Sequence, residues 1–213
     1  MSLLVAIDGS SGSGKSTLAR ALAARLGLPY VNTGLMYRAI AAQALRDGVG
    51  VDDAAALERF ARALRCRIVA GTPPALEVEG WSDDELMTDE IESVVSAVAR
   101  HPEVRAALRQ AQRTLGAEGG VIEGRDIGSV VFPHAPVKIL LVAAPQTRVV
   151  RRAHERGNEP DAAQDAVLER DRRDARTTPP VPAPDAVVID TTDLDELATL
   201  RAALAIVTER TGG

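Results

Sequence analysis

An apolar, branched run at residues 3–8 (LLVAID) leads without a break into GSSGSGKST at 9–17. Behind it Leu18, Leu22 and Leu26 recur every four residues until Gly27, a natural helix stop. Strand, glycine-rich loop and helix in that order begin a βαβ unit, and no other feature constrains the fold as tightly. The spacing Gly9-Ser10-Ser11-Gly12-Ser13-Gly14-Lys15-Ser16, followed by Thr17, fits the phosphate-cradling pattern G-x-x-x-x-G-K-[ST]. The glycines let backbone N–H groups turn inward, and the helix N-terminus adds partial positive charge. Lys15 then reaches the outer phosphates of a nucleoside triphosphate, and Ser16 offers its hydroxyl to Mg²⁺.

Further apolar runs at 120–123, 137–142 and 186–189 read as buried strands, with a shorter one at 28–31. Helical patterns lie between them, at about 34–47, 53–64, 89–100, 102–115, 145–155, 161–175 and 193–208. This alternation predicts an α/β fold with a doubly wound, mainly parallel sheet of about five strands. The stretch 66–80, CRIVAGTPPALEVEG, breaks the rhythm as two short strands around a Pro-rich turn. Residues 66–100 are therefore expected to form a small inserted subdomain in a core of 1–65 and 101–213.

Composition narrows the function. A net charge of −5 speaks against a nucleic-acid polymer as partner. No apolar run approaches the ~20 residues of a membrane-spanning helix, and no basic leader precedes the first strand. One cysteine, Cys66, excludes an internal disulfide and suits a reducing cytoplasm. Of 25 basic residues only Lys15 and Lys138 are lysine, which makes a lysine inside the loop more telling.

The phosphate loop leaves switch, motor and kinase open. The guanine-reading N-K-x-D pattern does not occur. Three segments suit a second phosphorylated ligand. In the first, 32–38 (NTGLMYR), Thr33 opens a helix after a strand and Tyr37 and Arg38 lie one turn in. In the second, 123–128 (EGRDIG), Arg125 and Asp126 stand between glycines at a strand's carboxyl end, where ligands of doubly wound sheets bind. In the third, Arg148, Arg151 and Arg152 share a helix face, and Arg170 and Asp174 share another. Arginines there suit a closing lid, because phosphoryl transfer needs positive charge and exclusion of water.

With GSSGSGKST (9–17), TGLMYR (33–38), VVSAVARHPEVR (94–105), EGRDIGSVVFPHAPVKI (123–139), RVVRR (148–152) and RDRRD (170–174) assembled, the chain resembles the bacterial cytidylate kinases from about Leu3 to Leu200. The resemblance implies a P-loop nucleoside monophosphate kinase with an NMP-binding insert at 66–100 and a short helical lid at about 153–175. It implies that ATP is held by residues 9–17 with Arg148 and Arg152, and that Mg²⁺ sits at Ser16, with Asn32 or Glu123 reaching it through water. It places CMP or dCMP on Thr33, Tyr37, Arg38, Ser96, Arg105, Arg125, Asp126 and Asp174. Of these, Ser96, Arg105 and Asp126 read the cytosine and Asp174 the sugar hydroxyls. Lys15, Arg125, Arg170 and Arg176 are the catalytic candidates, and a cytoplasmic monomer is implied. The chain departs from the family pattern with Ser10 for proline, Asn32 and Glu123 each for aspartate, and a shortened Asp174-Ala175-Arg176. Two alternatives stay open: a P-loop kinase acting on UMP, AMP or a sugar acid, and an ATP-dependent switch.

Overall fold

The computed structural model describes residues 3–156, 164, 172–173 and 182–212. Among them, seven strands form one sheet in the order β3-β4-β2-β5-β1-β6-β7: β1 Leu4–Gly9, β2 Tyr30–Asn32, β3 Cys66–Val69, β4 Ala75–Val78, β5 Gly120–Gly124, β6 Val137–Val142 and β7 Val187–Asp190. The five strands β2, β5, β1, β6 and β7 are parallel throughout, as the alternation of strands and helices requires. The hairpin β3–β4 extends the edge of this sheet, because β4 pairs in parallel with β2 at Tyr30 and Ala75.

Alternate residues of the strands feed opposite faces. Leu4, Ala6, Val31 and Ile122 pack in one apolar core with α2 (Thr33–Arg46), α3 (Ala54–Ala63), α4 (Asp83–Leu86), α5 (Asp89–Ala99) and α6 (Pro102–Leu115). Val5, Ile7, Val121, Ile139 and Leu141 pack in the other, with α1 (Lys15–Leu26) and the C-terminal α8 (Glu196–Thr211). Between β6 and β7 in sequence runs α7 (Pro145–Arg156). Burial of both faces accounts for the nearly continuous apolar strands.

Where an element starts differs from the periodicity for local reasons. Leu28 N–H bonds the Ala23 carbonyl at 3.0 Å to close α1, so β2 begins only at Tyr30. Asp195 accepts from Ala198 N at 2.6 Å as the N-cap of α8, which therefore begins at Glu196, after the expected 193. The helix expected at 161–175, and most of the lid span, lie outside the described residues.

Parallel register sets the carboxyl ends of β1, β2 and β5 side by side: Asp8 opposite Gly124, Ile7 opposite Glu123, and Asn32 opposite Glu123. The glycine-rich loop and the segments 32–38 and 123–128 follow those strands and so meet at one end of the sheet.

Candidate active site

The loop between β1 and α1 wraps a cleft. Gly12 turns it at φ 73°, and a Cβ there would lie 2.8 Å from the Arg148 carbonyl, so the position requires glycine twice over. Gly14 precedes α1 without any side-chain cap, which leaves the first helical N–H groups to a ligand. The Lys15 ammonium donates to the Ser10 carbonyl at 2.7 Å. Ser13 Oγ donates to the same carbonyl at 2.9 Å, so Ser13 holds the loop's shape.

Two supports lie beneath. Arg148 is buried and donates from Nε to the Ala143 carbonyl and from its terminal nitrogen to the Ser11 carbonyl, each at 3.2 Å. Thr191, just past β7, donates to the Ser13 carbonyl at 3.1 Å and accepts from Arg151 at 2.9 Å. Arg148 thus braces the loop from behind and does not line the cleft.

Across from the loop, Asn32 caps α2 by accepting from Gly34 N at 3.0 Å. Thr33 Oγ donates to the Glu123 carbonyl at 2.8 Å. Gly124 must be small, since a Cβ would come within 2.7 Å of that Thr33 hydroxyl. Arg125 reaches back to the Gly9 carbonyl at 3.1 Å, which places its guanidinium between the loop and the α2 side. Arg38 donates to the Leu86 carbonyl at 3.0 Å and pairs with Glu92.

Beyond Arg125 the backbone closes a π-helical turn, Ile127–Val131, with Phe132 N bonding the Ile127 carbonyl at 2.7 Å. Asp8 anchors it by accepting from Ile127 N at 2.7 Å and Gly128 N at 2.8 Å. Burial raises the Asp8 pKa, against the lowering effect of those two bonds. The turn aims Asp126 at α6. There Arg105 donates to its Oδ2 at 2.8 Å and Arg109, one turn on, to the same oxygen at 3.4 Å. Tyr37 lies beside this group, and its burial raises the phenol pKa.

The cleft measures about 210 Å³. Of the residues singled out in the sequence, Ser11, Gly12, Gly14, Lys15, Ser16, Thr17, Asn32, Thr33, Tyr37, Arg38, Ser96, Arg105, Glu123, Arg125, Asp126 and Arg152 line it. Gly9, Ser10, Ser13 and Arg148 shape or support the loop without lining the cleft. Arg170, Asp174 and Arg176 lie outside the described residues. Sequence reasoning missed Asp8, Tyr30, Glu92, Arg109 and Thr191. Arg109 had a signal, its four-residue spacing from Arg105 on one helix face.

Mg²⁺ fits the donors present. Among the described residues no group of three or more His, Cys, Asp or Glu forms a metal cage. Mg²⁺ bound chiefly by phosphates and water needs none. Ser16 and Glu123 both reach the cleft. Glu123 is 2 % exposed and accepts from the Tyr30 hydroxyl at 2.6 Å, which orients one carboxylate oxygen. Burial first, then the Glu123 charge, pushes the Tyr30 phenol well above its ordinary range, so it remains a donor. The Asn32 oxygen accepts from Gly34 N, which leaves it one further lone pair.

The cleft therefore joins an open helix N-terminus with its lysine to a group of arginines and two carboxylates, Glu123 and Asp126. This is a geometry for two phosphorylated ligands. The model of the cytidylate kinase family matches residues 5–209. The chain belongs to the cytidylate kinase family. A cytidylate kinase of Streptomyces avermitilis is 40 % identical over 98 % of this chain and 94 % of its own. One of Pelotomaculum thermopropionicum is 44 % identical over 87 % of each chain. A bifunctional pantoate ligase/cytidylate kinase of a Synechococcus species is 42 % identical over 91 % of this chain but 38 % of its own. Family membership bears out the kinase reading made from the motifs, over the alternative of a switch. No described helix is long and apolar enough to cross a membrane.

Proposed function

We propose that the protein transfers the γ-phosphoryl group of ATP to CMP and dCMP, giving ADP and CDP or dCDP. The observation that carries this reading is one cleft joining Lys15 and the uncapped α1 terminus to Arg38, Arg125 and the Arg105–Asp126 pair.

An oxygen of the acceptor's phosphate attacks the γ-phosphorus in line, and the bond to the β,γ-bridging oxygen breaks as ADP leaves. A phosphate oxygen is already nucleophilic, so no general base is required. The protein contributes position and compensating charge. Residues 9–17 hold the donor phosphates, with Arg148 fixing the loop from beneath and Arg152 facing the cleft. Arg38 and Arg125 hold the acceptor's phosphate, with Thr33 and Tyr37 beside them. Arg125, held against Gly9, is the arginine best placed to meet the migrating group. Arg170 and Arg176 are proposed to add charge there, and Asp174 to bind the sugar. Mg²⁺, when bound at Ser16 with Glu123 behind it through water, neutralises charge on the phosphates.

Base choice follows from donor and acceptor pattern. Cytosine offers O2 and N3 acceptors beside an N4 amino donor. Arg105 and Ser96 supply donors, and Asp126 accepts from N4. Arg105 and Arg109 both donate to Asp126 Oδ2, which supports reading the other oxygen as the acceptor for the base's amino group. Uracil reverses the pattern at N3 and O4 and leaves both partners mismatched. ADP release should be measured with CMP, dCMP, UMP, AMP and GMP in turn. Turnover with CMP and dCMP at least about tenfold above the rest is expected. An equal rate with AMP or UMP would remove the cytosine assignment and keep the kinase.

A further inference from the structure

Arg38 and Arg152 belong to different elements, α2 and α7, and both line the cleft. Guanidinium groups converging from two sides form the usual grip on a phosphate. Here they share an internal anion. Glu92, in the first turn of α5, pairs through Oε2 with Arg38 and through Oε1 with Arg152 at 2.6 Å. One carboxylate with an oxygen on each of two arginines reproduces what a phosphate offers with two of its oxygens. The trio is enclosed, with side-chain exposures of 8 % for Arg38, 13 % for Glu92 and 18 % for Arg152. Charge placed there is poorly screened by solvent.

We infer that Glu92 is a specificity-determining residue, which bridges the Arg38 and Arg152 guanidinium groups before the acceptor arrives and competes with the acceptor's phosphate for Arg38. The inference rests on the reading of Arg38 as a ligand of that phosphate. Glu92 brings one negative charge. A phosphomonoester brings about −1.5 to −2 at pH 7 and exchanges favourably. A nucleoside brings none and cannot displace the carboxylate. Glu92 thereby raises the charge an acceptor must carry, at the cost of some affinity for the correct one. It also keeps two enclosed cations from repelling, and from collecting stray anions.

The test uses the full chain with Glu92→Gln and Arg38→Gln, titrated calorimetrically with CMP and, separately, with inorganic phosphate. Glu92→Gln keeps size and one acceptor oxygen but loses the charge. It is expected to bind CMP about tenfold more tightly than wild type and inorganic phosphate more tightly too. Its melting temperature without ligand should fall, and its gain in melting temperature on adding CMP should exceed that of wild type. Arg38→Gln should weaken CMP binding tenfold or more. Unchanged or weaker CMP binding by Glu92→Gln, with Arg38→Gln still impaired, would overturn the inference and leave Glu92 as a support for the arginines. Unchanged binding by Arg38→Gln would instead overturn the phosphate reading, and the inference with it. If Glu92→Gln does not fold, Glu92→Asp replaces it. That arm is too short to span both arginines, so tighter CMP binding is again expected, and unchanged or weaker binding overturns the inference.

Discussion

The two halves of the cleft are built differently. On the proposed donor side, nine consecutive residues, 9–17, make the loop, and it leads into a helix N-terminus without a side-chain cap. On the proposed acceptor side the groups are side chains. They come from α2, α5, α6 and the turn after β5, elements spread from Thr33 to Asp126, and only the fold brings them together. A backbone cradle recognises what every nucleoside triphosphate shares. A side-chain assembly recognises what one acceptor has and its rivals lack. The division predicts that damage on the donor side lowers turnover with every acceptor, while damage on the acceptor side changes which acceptor is used.

The largest expected effect tests the donor half. Lys15→Ala should lower kcat by on the order of 10³-fold for any acceptor, because it removes the one cationic side chain of residues 9–17. Circular dichroism should show an intact fold. A loss confined to one acceptor would break the division.

Next comes the acceptor half. Arg105→Ala should raise the CMP KM by on the order of 10²-fold and leave the ATP KM nearly unchanged, since it strips the Asp126 carboxylate of its nearer partner and the base of a donor. Initial rates with each substrate varied separately would show the split. Comparable damage to both KM values would mean that the halves are not independent.

Gly12→Ala sharpens the contrast from the backbone side. A Cβ at φ 73° that also meets the Arg148 carbonyl should cost on the order of 1–3 kcal/mol of stability and raise the ATP KM several-fold. Chemical denaturation and ATP titration measure the two effects. A side-chain substitution on the acceptor half, such as Ser96→Ala, should leave the ATP KM unmoved.

The smallest effect concerns a residue in neither half. Cys66 lies on β3 at the sheet edge, and burial pushes its thiol up to about 11. With so little thiolate near pH 8, iodoacetamide should react slowly, about tenfold faster for each pH unit gained between 8 and 10. Saturating ATP should not alter that rate. Protection by ATP would place this edge in contact with the donor half.

The same contrast explains what the sequence revealed. A cradle made by contiguous backbone is written as a contiguous motif, so residues 9–17 were legible from spacing alone. Strands buried on both faces were legible as apolar runs, and β6 fell on the expected 137–142. Thr33, Arg38, Arg125 and Asp126 stood out by their place just after strands, whereas Ser96 and Arg105, which line the same cleft, entered only through the family resemblance, because no spacing says that α2, α5 and α6 converge. Glu92 was hidden among Asp89, Glu90 and other acids, where one carboxylate reads like its neighbours. Asp8 and Thr191 act on backbone groups about 120 and 180 residues away, which leaves no local trace. Arg148 illustrates the remaining difficulty: a helical arginine in a basic cluster suggests a phosphate ligand, and here it donates to the Ser11 carbonyl and supports the loop itself.

The most direct test of the account is the ratio of kcat/KM for CMP to that for UMP, in wild type and in Asp126→Asn. A carboxylate can only accept from the cytosine amino group, whereas an amide can either accept from cytosine or donate to the uracil O4. The account predicts a wild-type ratio well above tenfold that collapses by on the order of 10²-fold in Asp126→Asn, with the ATP KM preserved. A ratio near one in wild type, or one that survives the substitution unchanged, would contradict it.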